Sequence, residues 1–429
     1  MTRPPADTAL RAELAMARHI DARLDHRTAA TVRFFEREAD RLARLCHEMA
    51  ERFHRGGRLL AVGHAPAACS DVRHVVVEFV HPAIVGKRAL PAIGVCPAAG
   101  PLPVQLGLLA TPGDMVIAFG MAGDSARAEL DAAVAGARAR DCLTIAFAPR
   151  GAAWEFVPPT DDPFVHQELV ETLHHVLWEL LHVFYEHGGL IGAHNEHGRR
   201  AEDRVSAGAA SSLYPFLGDT APDVDGVLAD VSRSVRVKAR EAAELRAQTI
   251  GEGRAALAAA ATALRAALDA GGTLLACGNG GSATHAMDAV ADLRVPVGDW
   301  PARRALDLTE DAAILTALTN DVGPDAVFAR QVAAHGRAGD ALLVFSTGGS
   351  SRNVIEALGE ARRLDMLTIA LVGRDGGRVA SEGLADHVIV ARSQHVPRIQ
   401  EAQASAYHVL RELMELAEPG AAGARGTAT

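Results

Sequence analysis

The sequence resembles itself across a long interval, and this internal repeat narrows the choice of fold more than any other feature. The segment GGRLLAVGHAP, Gly56 to Pro66, returns as GGTLLACGNGG, Gly271 to Gly281. PGDMVIAFGMAGDSARAELDAAVAGARARDCLTIAF, from Pro112, aligns with AGDALLVFSTGGSSRNVIEALGEARRLDMLTIAL, from Ala338. Gln167, Glu168 and the run HVLWEL from His175 match Gln400, Glu401 and the run HVLREL from His408 at the same spacing. Three landmarks in one order point to a duplicated unit.

Each copy reads alike. A helical stretch leads into a short apolar run, a turn rich in small residues and another helix. A second apolar run (VIAF, LLVF) meets a second such turn and a helix, and a third (LTIAF, LTIAL) precedes a closing helix. Short apolar runs alternating with helices predict parallel sheets covered on both faces, because parallel strands need helical crossovers. The expectation is an α/β protein of two αβα sandwich domains, residues 1–187 and 226–418, each with a parallel sheet. A polar linker is expected over 188–225 and a disordered tail over 419–429.

Composition removes several classes of function. The 429 residues are 49% hydrophobic and 22% charged, enough to bury full-sized cores. No stretch approaches the roughly 18 to 20 apolar residues of a membrane helix, and the N-terminus carries no hydrophobic signal core. No membrane partner and a cytoplasmic address are therefore expected. A net charge of −10 argues against a nucleic-acid surface. Cys46, Cys69, Cys96, Cys142 and Cys277 never form a CxxC pair and read as small core hydrophobes. The only lysines, Lys87 and Lys238, lie in no motif, which disfavours Schiff-base chemistry.

Two turns carry chemistry. LLACGNGGSATHAMDAV sets Gly278, Asn279, Gly280, Gly281 and Ser282 between a strand and a helix, where backbone N–H groups converge on an anion. Taken alone, it fits a nucleotide turn or an empty tight turn equally well. VFSTGGSSRNVIEAL adds Ser346, Thr347, Ser350 and Ser351 around two glycines. Several hydroxyls at a helix N-terminus suit a phosphomonoester better than a dinucleotide, so no nucleotide cofactor is expected. N-capping by one serine would account for one hydroxyl, not four.

With these segments, LTEDAAILTALTNDVG, LVGRDGGRVA and RIQEAQASAYHVLRELME, the second half resembles the sugar isomerase (SIS) domain, and within it the phosphoheptose isomerases. The resemblance covers most of Gly271 to Glu415. It implies two flavodoxin-like SIS domains, a small phosphosugar as partner, and sugar-phosphate contacts from Asn279, Gly280, Gly281, Ser282, Asn320, Asp321, Ser346, Thr347, Gly348, Ser351 and Gln400. It also implies a divalent metal, zinc, held by a His and a Glu four residues apart on the helix after the first turn, with a Gln and a His on the last helix. Spacing of four places the first pair on one helical face.

The two halves depart from that pattern in opposite directions. The second has Asp288 and Asp292 at the His and Glu positions and keeps Gln400 and His408. The first has lost the hydroxyls, with Gly120, Met121 and Asp124 where the second has Ser346, Thr347 and Ser350, yet its helix carries His74 and Glu78. With Gln167 and His175 it holds the whole implied metal set. In one reading the halves share a composite site, with Glu78 or Asp292 as base and His175 or His408 as acid. In the other, His74 and Glu78 are an ordinary helix pair and His175 is a core histidine. Gln167 and His175 stand about 12 Å apart along a continuous helix, so either the Gln precedes the regular helix or it serves a neighbouring half or chain. His187, His194 and His197 read as solvated linker residues. The expected activity is aldose–ketose isomerisation of sedoheptulose 7-phosphate through an enediol, the alternative being a non-catalytic sugar-phosphate sensor. Single-domain relatives of this kind resemble tetramers, so a homodimer presenting four SIS units is expected.

Overall fold

The structure, a computed structural model, describes residues 6–82, 87–97, 100–186 and 224–416, with side chains from residue 15 onward. The expected tail, and the expected linker apart from Val224 and Asp225, lie outside the described residues, as do His187, His194 and His197. Two compact units emerge: a first over 30–241, and a second that joins the residues up to Ala29 to those from Ala242 onward.

The long helix α1 (Ala6–His54) contributes to both units. The first unit continues with β1 (Leu59–Val62), α2 (Pro66–Val80), β2 (Ala92–Val95), α3 (Leu102–Leu109), β3 (Met115–Ala118), α4 (Arg127–Arg138), β4 (Leu143–Ala146), β5 (Trp154–Glu155) and α5 (Pro163–Glu186). A second long helix, α6 (Val224–Glu252), is divided between the units like α1. The second unit follows with α7 (Arg254–Asp269), β6 (Leu274–Cys277), α8 (Gly281–Arg294), β7 (Ala305–Asp307), α9 (Ala312–Asp321) and α10 (Ala329–His335). It ends with β8 (Ala341–Ser346), α11 (Arg352–Arg363), β9 (Leu367–Gly373), α12 (Gly377–Ser381), β10 (His387–Ala391) and α13 (Val396–Glu415).

Both sheets have five parallel strands, ordered β2-β1-β3-β4-β5 and β7-β6-β8-β9-β10. Counted within its own unit each runs 2-1-3-4-5, the flavodoxin-like order. The two αβα sandwiches expected from the alternation of runs and helices are therefore present. The apolar runs are continuous because both faces are covered. In the first unit Leu59, Ala61, Met115 and Ile117 join the core beneath α1, α2 and α5, while Leu60, Val62, Val116 and Ala118 face α3 and α4. In the second, Leu274, Leu343 and Phe345 pack with α7, α8 and α13, whereas Leu275, Leu342 and Val344 pack with α11. Alternate residues of each strand thus serve opposite cores.

Cys46, Cys142 and Cys277 are buried as expected, but Cys69 and Cys96 are not: both are half-buried. The Cys69 thiol donates to the Gly63 carbonyl at 3.5 Å, and the neighbouring Cys96 thiol, ahead of burial, raises its pKa. Among the described residues no helix is long and apolar enough to cross a membrane.

The start of α1 joins the second unit through Ile20 in its core and through a buried carboxylate. Glu412, on α13, accepts from Arg27 at 2.9 Å, and Arg23 and His19 lie 3.2 and 3.3 Å from its other oxygen. Arg27 is fully buried. Burial alone would raise the Glu412 pKa, but the His19 hydrogen bond and the charges of Arg27 and Arg23 outweigh it and leave the group below its ordinary value. Removing one partner of such a pair strands the other charge. Glu412→Gln is expected to destabilise the protein by about 3 kcal/mol or more at pH 7, read as a lower denaturant midpoint. A depressed carboxylate pKa stabilises above the unfolded value and loses that contribution as pH falls through the folded one. The gap between variant and wild type should therefore close below about pH 4.5.

Candidate functional site

In open parallel sheets ligands bind beyond the carboxyl ends of the strands where the order reverses, here between β6 and β8 in the second unit. Both turns singled out from the sequence leave those two ends. At Gly278 a Cβ would lie 2.4 Å from the Ser282 carbonyl oxygen, so only glycine lets α8 start there. Gly280 has φ 58°, a left-handed conformation that turns the chain into the helix. Asn279 exchanges two amide hydrogen bonds with Asn353 on α11, at 3.0 and 2.9 Å, which ties the first turn to the helix that follows the second.

The four hydroxyls divide by role. Ser346 Oγ accepts from the Gly349 N–H and Ser350 Oγ from the Arg378 N–H, so both shape the loop. Thr347 and Ser351 are half-buried, and Ser351, at the N-cap of α11, makes no capping bond with its side chain. The loop is clamped from beyond β9: a Cβ on Gly349 would lie 2.1 Å from the Gly376 carbonyl oxygen, and one on Gly377 2.4 Å from that of Gly348. Close backbone packing is thus the role of the LVGRDGG motif. Beside it lies an open cleft of about 690 Å³ lined by Ser350, Ser351, Arg374, Arg378 and Gln394. Asn320 and Asp321 stand exposed in the last turn of α9, the Asn320 amide donating to Asp321 at 2.7 Å.

Two helices bring the titratable groups together. Asp288 and Asp292 lie on α8, buried, and His408 is buried on α13. Ligand atoms of the three fall within 4.8 Å of one another, with His408 Nε2 3.5 Å from Asp288 Oδ2. Burial, then the Asp288 charge, pushes the Asp292 carboxyl up to about 8. Its Oδ2 and the Oε1 of buried Gln400 have no hydrogen-bond partner among the described residues. Two carboxylates and an imidazole fit a divalent cation of the harder kind. Gln403, absent from the sequence expectations, donates to the carbonyls of Ser346 and Leu371 at 3.1 and 3.0 Å, anchoring α13 at the carboxyl end of β8.

The first unit is built otherwise. Ala65, aligned with Gly280, has φ −64°, so its first turn follows another path. At Gly120 a Cβ would meet Asp124 Oδ2 at 2.6 Å and an Arg150 nitrogen at 3.3 Å. Arg150 is held by Asp131 at 2.9 Å and the Met121 carbonyl at 3.0 Å. A carboxylate and an immobilised guanidinium thus stand where the other unit has hydroxyls. The nearby cleft, about 520 Å³, is lined chiefly by Met121, Phe147, Val157 and Pro158, with Asp161 and His166. His74 and Glu78 do share a face of α2, 3.9 Å apart, and His175 Nε2 reaches His74 Nε2 at 3.3 Å. Gln167 lies inside the regular helix α5 rather than before it, and its amide donates to Asp71 at 3.3 Å. Sequence reasoning missed His174 and Glu171, both buried beside His74.

Residues 239–373 match the SIS domain family. A phosphoheptose isomerase of Desulfovibrio desulfuricans is 42% identical over 183 residues, which is 42% of this chain and 86% of that protein. The chain belongs to the phosphoheptose isomerase family of SIS-domain proteins. Another member, from Citrifermentans bemidjiense, is 40% identical over 187 residues, covering 42% of this chain and 95% of its own. The tagatose-6-phosphate ketose/aldose isomerase of Escherichia coli aligns over 92% of this chain and 93% of its own, at 15% identity and a TM-score of 0.52. That likeness shows the fold alone.

Thr347→Ala and Ser351→Ala should each weaken binding of inorganic phosphate about tenfold, the weight of one hydrogen bond to an anion. Neither should shift the melting temperature, since the loop-shaping bonds are made by Ser346 and Ser350. Phosphate titration followed by ³¹P NMR, with a melt of each variant, checks both.

Proposed function

We propose that the chain is a phosphosugar aldose–ketose isomerase that converts sedoheptulose 7-phosphate to the aldose heptose 7-phosphate through an enediol. The observation that carries this reading is the pairing, in one unit, of a hydroxyl-lined turn at the sheet's switch point with buried Asp288, Asp292 and His408 on the flanking helices. Thr347, Ser351 and the backbone of Asn279 to Gly281 receive the phosphate, and Asn320, Asp321 and Gln400 contact the sugar. Asp292 removes the proton from the carbon next to the carbonyl, and His408 moves protons at the enediol oxygens. A base does this best when its pKa lies near the working pH, and burial has moved Asp292 in that direction. A bound divalent metal would polarise the sugar oxygens.

Homo-oligomerisation, as a dimer presenting four SIS units, belongs to the same reading. On α9, Leu315 and Leu318 pack half-buried against the unit's own core, while Ile314 is exposed.

A second reading, a sugar-phosphate sensor without turnover, draws on Asp288 in place of the family histidine and on the Asp124 and Arg150 filling of the first unit. The experiment is incubation of the full chain with sedoheptulose 7-phosphate, with and without chelator, assayed for aldose. Turnover is expected. Asp292→Asn and His408→Gln should each lower kcat by about 10² to 10⁴ with a smaller change in KM. Binding without aldose from any ketose phosphate would establish the sensor instead.

A further inference from the structure

We propose that the first unit has a ligand site of its own, in the cleft beyond the carboxyl ends of β3 and β4, and that its ligand is a small organic amine: a protonated nitrogen carried on an apolar, aromatic body. The site is independent of turnover in the second unit.

The cleft holds about 520 Å³, within the range of small-molecule sites. Met121 comes from the turn after β3, Phe147 from the end of β4, and Val157, Pro158 and Pro159 from the segment that leads from β5 into α5. Together they make an apolar wall in which Val157 is still 38% exposed, surface that an apolar ligand would cover. Polar groups are few. His166, near the start of α5, is only 8% exposed, and its Nε2 lies 3.2 Å from the Phe147 carbonyl oxygen. A carbonyl only accepts, so Nε2 carries the proton. Burial disfavours charging the ring, which leaves Nδ1 as an acceptor. No group among the described residues bonds Nδ1, and the ring lines the cleft.

Charge selects the ligand. Asp161 stands in the lining with its side chain exposed, and Asp124, in the turn after β3, is close enough for its charge to act on His166. Among the described residues neither carboxylate is in an ion pair, while the nearby cation, Arg150, is held by Asp131 at 2.9 Å and the Met121 carbonyl at 3.0 Å. The cleft thus offers acceptors and negative charge. Its counterpart beyond β8 and β9 of the second unit shows the reverse, since Ser350, Ser351, Arg374, Arg378 and Gln394 are groups that donate. One place in the repeated fold therefore suits opposite ligands, an anion in the second unit and a cationic donor in the first. An ammonium brings a positive charge and three donors on one nitrogen, which neither a hydroxyl nor a phosphate does.

The test titrates the full chain, by calorimetry at low salt, with phenethylamine and with 3-phenylpropionate, which keeps the aromatic body and reverses the charge. One phenethylamine per chain is expected, with 3-phenylpropionate weaker by about tenfold or more. The double change Asp124→Asn, Asp161→Asn touches no buried residue and should weaken the amine about tenfold while narrowing its lead over the acid. His166→Leu, which keeps the volume but removes the acceptor, should weaken the amine about tenfold as well. Thr347→Ala with Ser351→Ala, in the second unit, should leave amine binding unchanged. The proposal is overturned by no binding of phenethylamine at about 10 mM, by 3-phenylpropionate binding as tightly as the amine, by an affinity that the aspartate double variant leaves unaltered, or by amine binding lost with the second unit's hydroxyls.

Discussion

A strand that pairs in parallel with its neighbour cannot be reached by a tight two-residue turn, so the connections must return to the starting edge, for most strands through a helix on a face of the sheet. The rest of the molecule follows from this. All strands of a unit point the same way, all their carboxyl ends open on one edge, and the turns leaving those ends are the only ones that can converge. The 2-1-3-4-5 order then separates the turns after the first and third strands at the point where the chain reverses direction along the sheet. The hydroxyl loop and the glycine turn of the second unit meet there because the topology leaves them nowhere else to go.

The two units show how one scaffold accommodates divergent chemistry without changing its core. Their strands are interchangeable in pattern, and the differences are concentrated in side chains beyond the strand ends. A single backbone choice, glycine at 280 against alanine at 65, sets whether the first turn bends left or stays extended. In the first unit Asp124 and Arg150 take up the space beside the third strand, and repulsion by the carboxylate would disfavour a phosphate there. In the second unit the glycine and hydroxyl turns are kept, and Asp288 stands on the helix where the first unit has His74.

Much of this was legible in the sequence because it is local. Apolar runs, the spacing of His74 and Glu78, and the glycine and hydroxyl turns are all properties of short windows. What was not legible depends on distant partners. Nothing near Asn353 or Gln403 announces that one clasps Asn279 and the other the carboxyl end of β8. Gln167 aligned with the family pattern, yet only the structure shows that it lies within the uninterrupted helix α5 with its amide on Asp71. His174 has no signal in the repeat, which aligns its neighbour His175 and reports ancestry rather than the contacts a side chain now makes. Cys69 and Cys96 look like core hydrophobes in the sequence, but the fold leaves both half-buried.

The ion cluster around Glu412 crosses the order of synthesis with the order of assembly. Arg27 and Glu412 are separated by 385 residues. At about 5–20 residues per second, a ribosome needs about 20 to 80 s to cover that distance. The first unit can gather its own strands in the meantime, but the opening segment of the chain must wait for the last helix. Whatever shelters that amphipathic, arginine-bearing stretch during the interval has a part in deciding how much of the nascent protein reaches its native state.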